Sequence, residues 1–331
     1  MKKVLVVGMG SMGKRRARLL KQIDPEMVVC GVDANPQRAE ESLGREFDVS
    51  YVDLEAGIRE FQPDAAIVST SPASHHRIIP TLLQHGLHVF TELNLISDGY
   101  EEMMALAAEK NRKLFLSSTF LYRRDVQYIQ QAVNGKKVNY HYHSGQFLPD
   151  WHPWESYKNF FVSNAATDGC REIFAIDMPW ILSVMGPVKE ISVLCGNLTD
   201  LEIRYPDNYL LQMVHENGTK GTIAVDIVSR KAVRSLEAYS QELYLKWEGN
   251  PNELYSCNLE TKAMEQIKTY DEVERNQGYR NNQNIIENAY EEELRTFFGV
   301  IEGTATPRYT FADDKKTLAL IDQIEAQARM V

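Results

Sequence analysis

Cysteine is scarce in this chain. The four residues in 331, Cys30, Cys170, Cys195 and Cys257, lie far apart with no Cys-x-x-Cys pair. That spacing excludes a disulfide-stapled scaffold and a thiolate zinc site. Reduced thiols and a cytoplasmic setting are expected instead, with no metal site. Positive charge is also in deficit: 36 Lys and Arg stand against 46 Asp and Glu, a formal net charge of −10. Affinity through counterion release is therefore not expected, and nucleic acid is not expected as a partner. No run of about 18 apolar residues exists, so no membrane-spanning helix is expected. The opening "MKKVLVVGMG" has too short an apolar run for a leader and reads as a strand entering a glycine loop. No G-x-S-x-G element or Cys/His pairing points to a hydrolase.

What is present changes character along the chain. At about 150 residues per domain, the length suggests two domains. Continuous apolar runs at 4–7, 28–32, 65–68, 88–90 and 114–116 read as strands covered on both faces. They alternate with helical patterns at 12–23, 36–46 and 74–85, the last ending at Gly86. Asp98-x-x-Glu101 resembles a capping box opening the next helix. This order predicts an α/β fold with a doubly wound parallel sheet. A helix over 124–133 follows. Then alternating segments at 137–147, 209–229 and 235–249 predict a mostly antiparallel sheet with one wet face, with turns at Asn217-Gly218 and Gly249-Asn250. Two helical patterns close the chain. The boundary is expected near residues 119–122, giving domains 1–120 and 121–331.

The stretch "GMGSMG" places Gly8, Gly10 and Gly13 in G-x-G-x-x-G spacing, between a strand and a helix. Asp33 ends the next strand, twenty residues after Gly13. That full context is the Rossmann dinucleotide fingerprint. Gly8 allows the tight turn, Gly10 lets the backbone approach a pyrophosphate, and Gly13 lets helix and strand pack. Ser11 and Met12 open the helix whose N–H groups face the phosphates. Asp33 is expected to accept hydrogen bonds from both ribose hydroxyls, and its charge opposes a 2′-phosphate, so NAD is favoured over NADP. Of the basic residues Lys14, Arg15, Arg16, Arg18 and Lys21, some are expected near the pyrophosphate and the rest on a solvated face.

With these pieces placed, the chain resembles the glucose–fructose oxidoreductase / inositol dehydrogenase (Gfo/Idh/MocA) family. The matching stretches are "VVGMGSMGKRRARLL", "AAIVSTSPASHHRIIPTLLQHGLHVFTE" and, more weakly, "DGCREIFAIDMPWILSVMGPV". The resemblance implies a Rossmann domain followed by an α/β domain with a large open sheet. It places Ser69, Thr70, Ser71 and Pro72 beside the nicotinamide ribose, with His75 as a helix-start histidine that either faces this site or caps the helix. Family members commonly carry Glu-Lys-Pro where this chain has Glu92, Leu93 and Asn94. Glu92 is then a cofactor-side residue, and leucine replaces the lysine that serves proton transfer. In the second domain, counting back from Gly186 puts Ile176 where the family has a histidine and Pro179 at a usual aspartate. Glu172 and Asp177 are the nearby carboxylates.

A stretch rich in aromatic residues, "GQFLPDWHPWESYKNFFVS", offers Trp151, His152, Trp154, Tyr157 and Lys158. Such rings stack on sugar faces, and a similar Leu-Pro-Asp-Trp-x-Pro stretch occurs in family members linked to surface-polysaccharide and acidic-sugar biosynthesis. Packing of a loop or a subunit contact is the plainer alternative. Arg123, at the domain junction, could bind a substrate carboxylate or phosphate, or form a salt bridge. His141-x-His143 reads as a wet strand face. The expected function is NAD-dependent oxidation or reduction of a sugar, sugar acid or nucleotide sugar. Glu172, Arg123, Trp151, Trp154 and Tyr157 would hold substrate, and Asp177, His152 or Lys158 would move the proton. The alternative is an NAD(H)-binding sensor or partner protein without turnover. A homodimer or homotetramer through the second sheet is expected.

Overall fold

A computed structural model describes residues 2–153, 155–274 and 285–331. The chain divides into two compact units, Met1–Thr119 with Tyr290–Lys315, and Phe120–Ala289 with Lys316–Val331.

The first unit alternates strand and helix: β1 (Lys3–Val7), α1 (Ser11–Ile23), β2 (Val28–Val32), α2 (Pro36–Ser42), β3 (Val49–Tyr51), α3 (Leu54–Phe61), β4 (Ala65–Val68), α4 (His75–Gln84), β5 (His88–Thr91), α5 (Tyr100–Glu109) and β6 (Leu114–Leu116). The strands form one sheet in the order β3-β2-β1-β4-β5-β6, parallel throughout. Val4, Leu5, Val6 and all of β4 have no solvent exposure. Full burial of each such side chain is worth about 1.5–3 kcal/mol, which fixes the sheet beneath its loops. The chain order reverses between β1 and β4, and ligands of such sheets bind outside the strand ends at that switch.

Two details differ from the sequence reading. Strand β3 and helix α3 carry no expectation, because three half-buried residues at a sheet edge show no alternation. The apparent capping box does not form. Gly99, in the left-handed region at φ 72°, is the N-cap of α5, and Asp98 lies in the preceding turn.

The second unit opens with α6 (Arg124–Val133) and β7 (Asn139–Gly145), then α7 (Gly169–Met185), β8 (Val188–Gly196), β9 (Asn208–His215), β10 (Lys220–Asp226), β11 (Val233–Ser240), β12 (Leu243–Trp247), β13 (Leu254–Cys257) and β14 (Met264–Gln266). Helices α8 (Glu287–Glu302) and α9 (Phe311–Gln327) and the short β15 (Arg329–Met330) complete the chain. The second sheet runs β14-β13-β12-β11-β7-β10-β9-β8-β15. Most of its pairs are antiparallel, with β7–β10 and β8–β15 parallel. In β7, Tyr140 and Tyr142 are buried while His141 is exposed and His143 partly so. The opposite face holds a shallow hollow of about 630 Å³ whose lining includes His141, His143 and Leu210. Leu194 and Leu210 there are 47% and 56% exposed.

Candidate functional site

In the first unit the loops at the strand ends converge on the glycine turn. Gly8 sits at φ 95°, and a Cβ there would stand 2.6 Å from the Ser69 carbonyl oxygen. A Cβ on Gly13 would overlap the Gly8 carbonyl. These two glycines are required by the fold of the turn itself. Gly10 differs: a Cβ there meets nothing within 4 Å, so the space beside its backbone is open. Helix α1 has no side-chain cap and no acidic residue in its first turn, which leaves its positive end for an anion. Ser11 and Met12 lie at that end. Asp33 closes the cradle: its Oδ2 accepts the Met9 N–H at 2.9 Å and its Oδ1 the Asn35 N–H at 2.9 Å. This fixes the carboxylate while each oxygen retains lone pairs for a ribose. The residues present fit a dinucleotide.

The 69–72 loop is braced from within. Thr70 Oγ1 and Ser74 Oγ share a hydrogen bond at 2.7 Å, and Ser74 Oγ donates to the Ser71 carbonyl at 2.7 Å. Pro72 is buried and Ser71 exposed. His75 is 2% exposed and does not cap its helix. Its Nδ1 lies 2.6 Å from Asn94 Oδ1 and 3.2 Å from Thr91 Oγ1, and its Nε2 lies 3.1 Å from the Thr70 carbonyl. Burial lowers its pKa, although these hydrogen bonds oppose that. A neutral His75 ring has one N–H to donate, to Asn94 Oδ1 or to the Thr70 carbonyl, and either bond ties the imidazole to a loop at the strand ends.

Glu92 follows β5 directly and extends its ladder through N–H to the Val68 carbonyl at 3.0 Å. Its carboxylate is gripped by Arg16, through Nε at 2.7 Å and Nη2 at 3.0 Å. Arg15 and Arg16 are buried rather than solvated. Arg16 stacks over Phe90, 4.5 Å from the ring centre, and Arg15 over Tyr290 at 4.6 Å. Of the basic cluster, Lys21 pairs with Asp48 at 2.7 Å.

In the second unit the sequence-derived candidates separate into engaged and available groups. Asp177 is 1% exposed and bound by Arg234, whose Nε lies at 3.2 Å and Nη2 at 3.3 Å. Trp180 Nε1 donates to it as well, at 3.2 Å. Arg123 is 1% exposed, forks onto Asp125 at 3.0 and 2.6 Å, and donates to the Gly249 carbonyl at 2.8 Å. Lys158 is exposed and ion-paired with Glu202, a bond that raises its pKa and keeps it protonated. Tyr157 Oη accepts the Glu202 N–H at 3.2 Å. His152 is half-buried against Phe160, ring centres 4.4 Å apart, and burial lowers its pKa. Trp151 donates Nε1–H to the Gln146 carbonyl at 2.9 Å, and its ring edge lies 3.6 Å from where a Cβ on Gly169 would stand. Trp154 lies outside the described residues.

Glu172 stands apart. From Gly169 through Ile181, α7 is buried at every position except Glu172 and Ile176, one turn apart on one stripe. Glu172 Oε2 is buried with no hydrogen-bond partner, and burial pushes the carboxyl up to about 8. A carboxyl of this kind can hold or release a proton near neutrality. Sequence reasoning named it as a substrate contact. Its isolation could not be read from a pattern. Among the described residues, no group of three or more His, Cys, Asp or Glu is arranged to hold a metal.

Residues 2–118 match a model described as "Oxidoreductase family, NAD-binding Rossmann fold", GFO_IDH_MocA. Solved structures of similar fold cover nearly the whole chain. UDP-N-acetylglucosamine 3-dehydrogenase GnnA from Acidithiobacillus ferrooxidans is 17% identical, with 99% of this chain and 97% of that one covered at TM-score 0.76. The WlbA dehydrogenase from Bordetella pertussis, in complex with NADH and UDP-GlcNAcA, is 13% identical, with 98% and 96% covered at TM-score 0.75. Levoglucosan dehydrogenase, in complex with NADH and levoglucosan, is 16% identical, with 98% and 96% covered at TM-score 0.76. At these identities the likeness is one of fold. The family match falls on the unit that carries the glycine cradle and Asp33, and residues 2–118 are similar to the NAD-binding Rossmann domain of the Gfo/Idh/MocA oxidoreductases, so NAD is the cofactor this unit is built to hold.

Proposed function

We propose that the protein is an NAD-dependent dehydrogenase acting on a CH–OH group of a sugar, sugar acid or nucleotide sugar, with Glu172 moving the proton. The single observation that carries this is the unpartnered Glu172 carboxyl on the partly open stripe of α7. When bound, NAD accepts hydride from the carbinol carbon. The hydroxyl proton must leave as well, and it needs an acceptor. Leu93 and Ile176 cannot serve, Asp177 is held by Arg234, Lys158 is already protonated, and the His152 ring packs against Phe160. Glu172 has the required chemistry and no competing partner.

Trp151, whose ring packs beside Gly169 at the start of α7, supports a sugar as substrate, since an aromatic face stacks on pyranose C–H groups. The fold shared with UDP-N-acetylglucosamine 3-dehydrogenase GnnA and with WlbA bound to UDP-GlcNAcA favours a nucleotide sugar. Glu92 is read as the cofactor-side carboxylate, His75 and Asn94 as holding the 69–72 loop, and Arg123 as a support of the second unit's core. Pairing of two copies through the open sheet accounts for exposed Leu194 and Leu210.

The test is NADH formation from NAD across a panel of sugars and UDP-sugars, in wild type and E172Q. Turnover with at least one member is expected. E172Q should lose about 100-fold or more in rate while keeping NADH affinity. Full turnover in E172Q would remove Glu172 from the reaction. A second reading, NAD(H) binding without turnover, is favoured by the two apolar side chains, Leu93 and Ile176. It requires that no panel member be oxidised although NADH binds.

A further inference from the structure

Arg16, which grips Glu92, is shared with a second carboxylate 277 positions further along the chain, Glu293. Arg16 donates Nε and Nη2 to Glu92, and the same Nη2 donates to Glu293 Oε2 at 2.8 Å. Its Nη1 donates to the Tyr290 carbonyl at 3.2 Å. Glu293, on the part of α8 that groups with the first unit, has no solvent exposure. Its Oε1 accepts the Ser118 N–H at 2.7 Å. Its two oxygens stand 3.0 and 3.1 Å from Ser117 Oγ, and Oε2 accepts Thr119 Oγ1 at 3.2 Å.

Of the three charged side chains in this chain of contacts, Arg16 and Glu293 are 0% exposed and Glu92 is 12% exposed. Burial raises the Glu293 pKa and Arg16 opposes it, while Glu92 and Glu293 together outweigh burial at Arg16 and hold its charge. The guanidinium is thus fixed on its inner side by Glu293 and the Tyr290 carbonyl. On its outer side it presents Glu92, the one carboxylate of the set that reaches solvent, at the end of β5.

We propose that Glu293 is a positioning residue of the cofactor site: through Arg16 it sets the orientation of Glu92 toward the nicotinamide-side ribose. The proposal rests on the reading of Glu92 as the cofactor-side carboxylate. It extends the cofactor site beyond the matched residues 2–118 to a helix near the end of the chain. A bidentate carboxylate has one orientation only while its arginine does. Removing Glu293 leaves Arg16 with a single anion and buried donors that must find new partners.

The experiment is a fluorescence titration with NADH, paired with thermal melting, of wild type, E293Q, E92Q and the double variant E293Q/E92Q. E293D is included as the conservative replacement. E293Q is expected to weaken NADH binding roughly tenfold. E293D should recover part of that loss. In the E92Q background E293Q should cost nothing further in NADH affinity, while its effect on melting persists, because it acts on the cofactor through Glu92. An E293Q effect on melting alone, or a full additional loss of affinity in the E92Q background, overturns the proposal. If wild type binds NADH and E92Q binds it equally well, the reading of Glu92 fails and this inference fails with it. If wild type does not bind NADH at all, it is the cofactor assignment that falls.

Discussion

Glu172 and Gly10 separate the roles that chemistry and architecture play. Glu172 has an ordinary value of 4.5 raised to about 8 by burial. Oxidation of a hydroxyl needs its base form, so the rate should rise with pH through about 8 and level off above. Reduction needs the acid form and should fall over the same range. A pH–rate profile in both directions checks this, and E172Q should flatten it. Stability carries the same signature. The folded carboxyl holds its proton more tightly than the unfolded one, so ionisation opposes folding, and wild type loses stability between about pH 4.5 and 8. E172Q does not titrate and should melt above wild type at pH 9, with the gap closing toward pH 5. Gly10 gives the complementary case. At φ −76° and with open space around it, G10A should fold with an unchanged melting temperature. Its methyl group would fill the cradle, so NADH affinity should drop about tenfold or more. Gly10 and Asp33 were legible in the sequence because they belong to a local pattern with fixed spacing. Glu172 was visible as a residue but not as a proton-transfer group, since an unpaired carboxyl is known only from what does not surround it.

Elements were legible where a run of residues shares one environment. Strands β2, β4 and β6 match the sequence reading to the residue, because burial along β4 and beyond the first residue of β2 and β6 leaves a short apolar run. Strand β8 escaped notice: a register shift between Val188 and Glu190 breaks its alternation. The pattern over 291–303 reads as a closing helix and covers most of α8, yet nothing local marks Glu293 as a partner of Arg16. The sequence carries no expectation of a helix over Gly169–Met185, and it leaves both Glu172 and Asp177 as candidates. The structure distinguishes them by partners, and D177N should show it. Breaking the buried pair with Arg234 should cost about 3 kcal/mol or more in denaturant unfolding, with NADH affinity unchanged. E172Q should do the opposite, removing turnover with no such loss of stability.

At the scale of the molecule, the sequence reading took the chain as two successive segments, with one boundary near residue 120. The first compact unit also takes up Tyr290–Lys315, a return that only long-range contacts such as Arg16–Glu293 define. The exposed sheet face carries the remaining expectation. If copies pair through it, L210E should shift the protein toward monomer in size-exclusion chromatography with light scattering. A mutation-insensitive state would move the interface elsewhere. Dehydrogenase chemistry in this protein depends on the cradle of the first unit holding NAD in the orientation set by Asp33. The measurement that tests this most directly is an equilibrium fluorescence titration of the full chain with NADH and, separately, with NADPH. Tight NADH binding and NADPH binding weaker by about tenfold or more is the predicted result, since the Asp33 carboxylate accepts ribose hydroxyls and repels a 2′-phosphate. Equal or tighter binding of NADPH, or no binding of either, would contradict it.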